Sequence, residues 1–347
     1  MSATKACIKR FAAADTAVIE DVSAALSEIM AGTATPGQIG AFLLGLSAVG
    51  QAADPKIITA CAKVMLDFAV PCKHGHPTVE PQVSVDIVGT GGDGMDTFNV
   101  STTAGIVMAA CGVTVAKHGN RSSSGKVGSA DFLEALGATI QLDAKQTASV
   151  IEQCGYGFLF SQKFHPAMKN VAAVRKELGV PTVFNLLGPL TNPATPGRQV
   201  TGVGRRELAP IFAEILLRQG HRGMIVHSTD GLDEISPCAP TDVWEVSGEP
   251  LAIKEYQVAP ADFGLALHTL ADISGGTAEE RVEWFRAALA GKAGAIRDFI
   301  IINAAAGLYV AEAATDFQAA AAKVAEAIDS GKAKAVLEAY IKATTSV

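Results

Sequence analysis

The chain has no Cys-x-x-Cys pair and no Cys/His ligand spacing. Its six cysteines (Cys7, Cys61, Cys72, Cys111, Cys154 and Cys238) are scattered, which argues against a structural zinc site or a disulfide framework. Reduced thiols in a cytoplasmic compartment are the expectation. Aromatic residues are scarce, at 6% of 347, so a 49% hydrophobic composition must build its core from small and aliphatic side chains. There is no basic excess either: the formal charge of −7 argues against general affinity for nucleic acid or anionic membrane. Any phosphorylated ligand then needs a locally positive pocket. The most apolar stretch, Gly105 to Ala116, falls short of the roughly 20 residues that span a bilayer. The opening MSATKACIKRFAAAD lacks the apolar centre of a signal peptide. No internal repeat or low-complexity tract is present.

What is there begins as helix. From about Thr16 to Ala69, Val18, Val22, Ala25, Leu26, Ile29 and Met30 recur at intervals of three and four and form one stripe. Thr35-Pro36-Gly37-Gln38 opens the next helix, with Thr35 as cap, Pro36 at the first helical position and Gln38 completing a capping box. Asp54-Pro55 repeats the device, so three helices are expected before any strand. The period then changes. Val83 to Val88 reads as a strand, Val100 to Cys111 as a helix and Val113 to Ala116 as a second strand. Strands and helices alternate from there, giving a mainly parallel sheet with helices on its faces. Val243 to Val246 and Leu251 to Val258 suggest an antiparallel addition, and the chain from Ala278 onward is helical again. Pro71 to Pro81 reads as a linker.

The first strand breaks off in Gly89-Thr90-Gly91-Gly92-Asp93-Gly94 and leads into a helix. Glycines let the backbone approach an oxyanion, and the helix start supplies N–H donors, although a tight turn uses the same residues. A dinucleotide fold would carry an acidic residue at the end of the second strand. Here that place holds Lys117-His118-Gly119-Asn120-Arg121, and a cation there points to phosphate instead. The Walker pattern fails as well, since no Gly-Lys-Ser/Thr follows at the required spacing. Asn99, Ser101 and Thr102 at a helix start are ordinarily caps. Beyond Lys117, however, run Ser122-Ser123-Ser124-Gly125 and then Ser129, and hydroxyls, glycines and a lysine gathered at the ends of two neighbouring strands suit a polyanion.

In order and spacing, GTGGD (Gly89–Asp93), NVST (Asn99–Thr102) and KHGNR (Lys117–Arg121) resemble the signature of the anthranilate phosphoribosyltransferases. So do GSADFLEALG (Gly128–Gly137), HPAM (His165–Met168), Arg175, FNLLGPLTNP (Phe184–Pro193) and GLDE (Gly231–Glu234). The resemblance covers nearly the whole chain. It implies an α/β protein with a small all-helical domain, residues 1–75 completed by a segment near 166–192, and a larger α/β domain, residues 76–347. It also implies a homodimer joined through the helical domain. The implied reaction is Mg2+-dependent transfer of the phosphoribosyl group of 5-phosphoribosyl diphosphate (PRPP) to anthranilate, in tryptophan biosynthesis.

Residues matching the family's PRPP site are Gly89, Gly92, Asp93, Thr97, Asn99, Ser101, Thr102, Lys117, Ser124, Gly125 and Ser129. Ser101, Asp233 and Glu234 match its magnesium site. Gly89, Asn120 and Arg175 match its anthranilate site, with His118, His165, Gly188 and Pro189 lining the approach. Lys117, Arg175, Asp233 and Glu234 are the residues expected to carry catalysis. Taken alone, Arg175 would read as a solvated surface arginine and Asp233-Glu234 as solvated loop acids. The chain departs from the family's pattern at Val180-Pro181-Thr182, at Ser228, and in Arg281 to Trp284, where an asparagine is expected. His74, His76, His221 and His268 match nothing, and Trp244 and Trp284 read as core.

Two other readings stay open. One is a pyrimidine nucleoside phosphorylase of the same architecture, although Val85-Asp86-Ile87 occupies the stretch where such enzymes carry Lys-His-Ser. The other is a non-catalytic homologue that binds PRPP or nucleic acid, which should show a basic patch and losses in NVST, KHGN or GLDE.

Overall fold

The structure is a computed structural model that describes residues 2–74, 83–122 and 126–347. In chain order the elements begin with α1 (Ala3–Ala12), α2 (Ile19–Met30), α3 (Pro36–Ala48) and α4 (Pro55–Asp67). Next come β1 (Val85–Gly89), α5 (Val100–Ala110), β2 (Val115–Gly119), α6 (Ser129–Ala135), α7 (Ala144–Cys154) and β3 (Tyr156–Phe160). The short α8 (Ser161–Phe164), α9 (Lys169–Leu178) and α10 (Phe184–Leu187) follow, then β4 (Arg198–Gly202), α11 (Ala209–Gln219), β5 (Arg222–Ser228), β6 (Thr241–Ser247) and β7 (Ala252–Val258). The chain finishes in α12 (Ala278–Leu289), α13 (Ala295–Val310), α14 (Phe317–Asp329) and α15 (Lys332–Thr345). It divides into two compact units: Met1–Pro71 with Gln162–Pro193, and Cys72–Ser161 with Ala194–Val347.

The first unit is helical. The α3 capping box forms as the sequence predicts, Thr35 Oγ1 accepting from Gln38 N and Gln38 Oε1 from Thr35 N. Asp54 likewise caps α4 through Lys56 N at 2.8 Å. Val22, Ala25, Leu26, Ile29 and Met30 of the expected α2 stripe are buried, whereas Val18 is half exposed because it lies before the first turn. Among the described residues, four α-helices precede the first strand rather than three. The additional one, α1, is held at its start by a distant carboxylate: Glu28 accepts from Ala3 N and from the Thr4 amide and hydroxyl. That partner lies outside the helix, so the local pattern gave no sign of it. Asn170 Nδ2 donates to Met30 O at 2.8 Å, fastening the second segment of the unit to the end of α2.

The second unit carries a seven-stranded sheet ordered β3-β2-β1-β4-β5-β6-β7. Pairs from β3 to β5 are parallel, and β6 and β7 add antiparallel at one edge, as the sequence suggests. β2 runs on to Gly119, further than the Val113–Ala116 reading, because Lys117 and His118 pair with Phe158 and Leu159 of β3. Strand extension of this kind is decided by the neighbour. Behind the sheet, α5 is buried almost all round and packs on α13, whose Phe299, Ile300, Ile301 and Ile302 are at most 1% exposed. Each such side chain contributes about 1.5–3 kcal/mol by leaving water. The order of strands reverses between β1 and β4, the switch point of a parallel sheet, and the loops at their carboxyl ends open there. No helix of the described residues is long and apolar enough to cross a membrane.

Candidate functional site

β1 delivers the chain to that switch point and then turns. Gly91 and Gly92 take φ of 68° and 81°, a left-handed conformation that side chains resist. The turn is anchored on β4: Thr90 N donates to Gly202 O at 2.9 Å, and Gly204 N donates to Thr90 Oγ1 at 3.1 Å. Gly89 and Gly202, register partners on adjacent strands, both face Asp233 so closely that a Cβ on either would collide with it. The turn therefore rests on the acidic loop, and Gly91 N donates to Asp233 Oδ2 at 2.7 Å.

Around this contact charge is concentrated. Burial pushes the Asp233 carboxyl up to about 7, with the charge of Asp93 adding to the effect and the Gly91 amide opposing it. Glu234 is pushed well up by burial and then by Asp233; Lys117 and a hydrogen bond from Ser101 oppose the shift. Lys117 is 1% exposed and donates from Nζ to Ile87 O at 2.6 Å. Burial lowers its pKa, against the nearby charges of Asp86, Glu234 and Asp233. Asp86 also accepts from His118 N at 3.2 Å. The cluster thus sets several desolvated carboxylates against one ammonium, an arrangement that favours an added cation. Among the described residues, no group of three or more His, Cys, Asp or Glu is placed to hold a metal by itself.

The helix after the turn contributes hydroxyls. Ser101 is 9% exposed, and Thr102, fully buried, has no hydrogen-bond partner for Oγ1 among the described residues. Asn99 and Thr97 precede them in a segment fastened to 273–275, with Phe98 N donating to Ile273 O and Gly275 N to Asp96 O. Asn120 is exposed, while Ser129 opens α6. Ser124 and Gly125 lie outside the described residues, as does most of the Pro71–Pro81 linker, including His76.

The remaining expected residues lie in the helical unit. Arg175, in the last turn of α9, is partly buried, which lowers its pKa. Its guanidinium lies 5.3 Å from the centre of the Phe184 ring and makes no hydrogen bond or ion pair with the described residues. His165 is 4% exposed, with Nε2 at 3.0 Å from Thr191 O. Gly188 and Pro189 form a 3-10 turn just beyond α10.

Residues 81–334 match the α/β domain of a glycosyl transferase family, and residues 5–69 match that family's helical bundle domain. The chain is 43% identical to an anthranilate phosphoribosyltransferase of Acetivibrio thermocellus, over 94% of this chain and 92% of that one. It is 45% identical to the enzyme of the same name from Rhodospirillum rubrum, over 92% and 90%. The chain belongs to the anthranilate phosphoribosyltransferases. The crystal structure of a Thermus thermophilus member superposes with a TM-score of 0.89 at 39% identity, covering all of both chains. A Saccharomyces cerevisiae member in complex with PRPP and Mg superposes at 0.90 with 29% identity, covering 99% of this chain and 98% of that one.

Two buried polar side chains of this family member were given no role by sequence: Asn303 was passed over, and Arg281 was named only as the start of a segment departing from the family's pattern. Asn303 interrupts the apolar run of α13; its Oδ1 accepts from Ile235 N at 3.1 Å, and its Nδ2 donates to Ile235 O at 2.9 Å. It thereby fixes the backbone directly after Glu234. An asparagine among isoleucines and alanines was a legible signal. Arg281 is 1% exposed and donates to Asp96, Thr97 and Asn99. In sequence it stands among charged residues at a helix start and looks like surface. Of the unmatched residues, His74 is buried, His268 meets Asp298 at 2.8 Å, and Trp244 is core, while Trp284 is partly exposed against it.

Proposed function

We propose that the protein transfers the 5-phosphoribosyl group of PRPP to the amine of anthranilate, with Mg2+, giving N-(5-phosphoribosyl)anthranilate and diphosphate in tryptophan biosynthesis. The observation that carries this reading is the cluster of buried Lys117, Asp233 and Ser101 with half-buried Glu234, beneath a glycine turn whose Gly91 amide donates to the same loop. The amine lone pair forms the new bond to C1 of the ribose, the C1–O bond to diphosphate breaks, and the amine loses a proton. In the α/β unit, the glycine-turn amides with Asn99, Ser101, Thr102, Ser124, Gly125 and Ser129 receive the phosphates. The unpartnered Thr102 hydroxyl supports this, because a buried hydroxyl calls for an acceptor or donor. Lys117 places positive charge where the leaving diphosphate gathers negative charge.

The donor set fits magnesium. Ser101, Asp233 and Glu234 offer the hard oxygens that magnesium prefers, and substrate phosphates and water would complete its shell. When bound, the ion would neutralise charge on the diphosphate. In the helical unit, Arg175 lies over the Phe184 ring and offers a planar fork, without a hydrogen bond or ion pair to other described residues, for the anthranilate carboxylate. The residues matching the family's approach to anthranilate are His165, Gly188 and Pro189 in the helical unit; Gly89, His118 and Asn120 match it in the α/β unit. Orientation of a weakly nucleophilic amine supplies much of the acceleration, and no side chain is assigned as general base. The Saccharomyces cerevisiae complexes with PRPP and Mg and with 4-fluoroanthranilate support the substrate pair. A homodimer joined through the helical unit, in the cytoplasm, completes the proposal.

The test is direct: anthranilate fluorescence is followed with PRPP and magnesium, beside controls lacking PRPP or containing a chelator. Decay that needs both supports the proposal. Absence of decay from folded protein, with phosphate-dependent cleavage of a pyrimidine nucleoside instead, would replace it.

A further inference from the structure

We propose that Arg281 is a positioning residue for PRPP, holding the Asp96–Asn99 segment in the conformation that receives the ligand. The inference rests on the reading of Thr97 and Asn99 as PRPP contacts. An arginine is almost never buried to 1% without partners, and here the partners are concentrated on one short segment. Nη2 donates to Asp96 Oδ1 at 2.6 Å and to Asp96 O at 3.3 Å. Nη1 donates to Thr97 O at 2.7 Å and to Asn99 Oδ1 at 3.2 Å. Nε donates to Gly275 O at 2.9 Å, so the same guanidinium also grips the strand-like piece that pairs with the segment.

The consequence falls on Asn99. Its Oδ1 accepts from Arg281 while its Nδ2 donates to Val127 O at 2.9 Å. That settles which end of the amide points where, and leaves one N–H and one lone pair for a ligand. The residue lies immediately before α5, whose first turn carries Ser101 and Thr102. Displacing Asn99 would therefore shift the start of the hydroxyl-bearing helix along with the loop. Only a guanidinium, with five donors in a rigid fork, can meet these acceptors together; an ammonium on the same stem cannot span them.

A purely structural clamp would lower stability without distinguishing between substrates. The experiment measures KM for PRPP and for anthranilate in Arg281→Lys and Arg281→Met, with PRPP–magnesium affinity determined separately by calorimetry. Val324→Ala, a core truncation in α14, controls for lost stability. The expected result is a rise in PRPP KM and dissociation constant of roughly ten- to a hundredfold, given how steeply misplacement costs. Anthranilate KM should stay nearly constant, and lysine should fail to rescue. Equal changes for both substrates, full rescue by lysine, or the same PRPP effect from Val324→Ala at matched melting temperature would overturn the proposal. If the wild type binds PRPP but leaves anthranilate untouched, the reading of the reaction fails, and the calorimetric comparison alone still decides the role of Arg281. A wild type that binds no PRPP would overturn both.

Discussion

The backbone amide of Gly91 donates to Oδ2 of Asp233 at 2.7 Å across 142 positions of sequence. This one bond couples the glycine turn after β1 to the acidic loop after β5, and the absence of side chains at Gly89 and Gly202 makes the approach possible.

Gly202→Ala should therefore damage the site, although it adds a single methyl group. Its Cβ would enter the Asp233 backbone, and overpacking of this kind costs about 1–3 kcal/mol. Denaturant unfolding should register the loss, and magnesium-dependent activity should fall further than stability alone explains. Wild-type activity would show that the loop has room to move.

Arg175→Ala should raise KM for anthranilate by about ten- to a hundredfold, the worth of charge-assisted hydrogen bonds to a carboxylate. PRPP affinity should change little. Equal loss for both substrates would remove the carboxylate role.

Asp233→Asn combined with Glu234→Gln should flatten the dependence of rate on magnesium concentration. Because burial raises both carboxyls, with the charge of Asp93 adding at Asp233 and that of Asp233 adding at Glu234, the neutral pair should also leave the folded protein at least as stable without metal. An unchanged magnesium dependence would locate the ion elsewhere.

Asn303→Leu should destabilise the protein by about 1–3 kcal/mol for each group of Ile235 left buried without a partner. Activity should fall with it, since Ile235 follows Glu234. Thermal and denaturant unfolding of the variant measure the first effect, and steady-state kinetics the second.

Stability should decline on acidification below the ordinary histidine value of 6.5, in part through His165 and His221. Burial lowers both pKa values, so the unfolded chain takes up protons that the folded chain refuses. Their contribution is complete above 6.5 and is lost as pH falls toward the depressed folded values. Melting curves of His165→Gln between pH 7 and 5 should fall less steeply than wild type; parallel curves would show that His165 carries no such linkage.

What could be read from sequence shares a physical feature: it is settled over a few residues. The Thr35–Gln38 capping box and the Asp54 cap close hydrogen bonds within one turn, and both form. The α2 stripe and the change from helical to strand period are equally local. The antiparallel edge was legible because Gly248 separates two short β-rich runs. The end of β2 was not, since Lys117 and His118 become strand only by pairing with β3; α1 was passed over although Ser2 caps it locally, and its first two amides are held by the distant Glu28.

The same division runs through the site. Sequence alone determined the alternation of helix and strand, the glycine turn, and a cation where a nucleotide-binding fold would place an acid. Each is a property of neighbouring residues or of regular spacing. Tertiary structure alone decided that Asp233 and Glu234 are desolvated, that Lys117 lies among them, and that Gly202 must be small. It also turned Arg281, one charge among several at the start of α12, into the buried clamp of the Asp96–Asn99 segment. Burial and charge pairing depend on which distant segments the fold brings to within a few ångströms, and a linear pattern carries no measure of that distance.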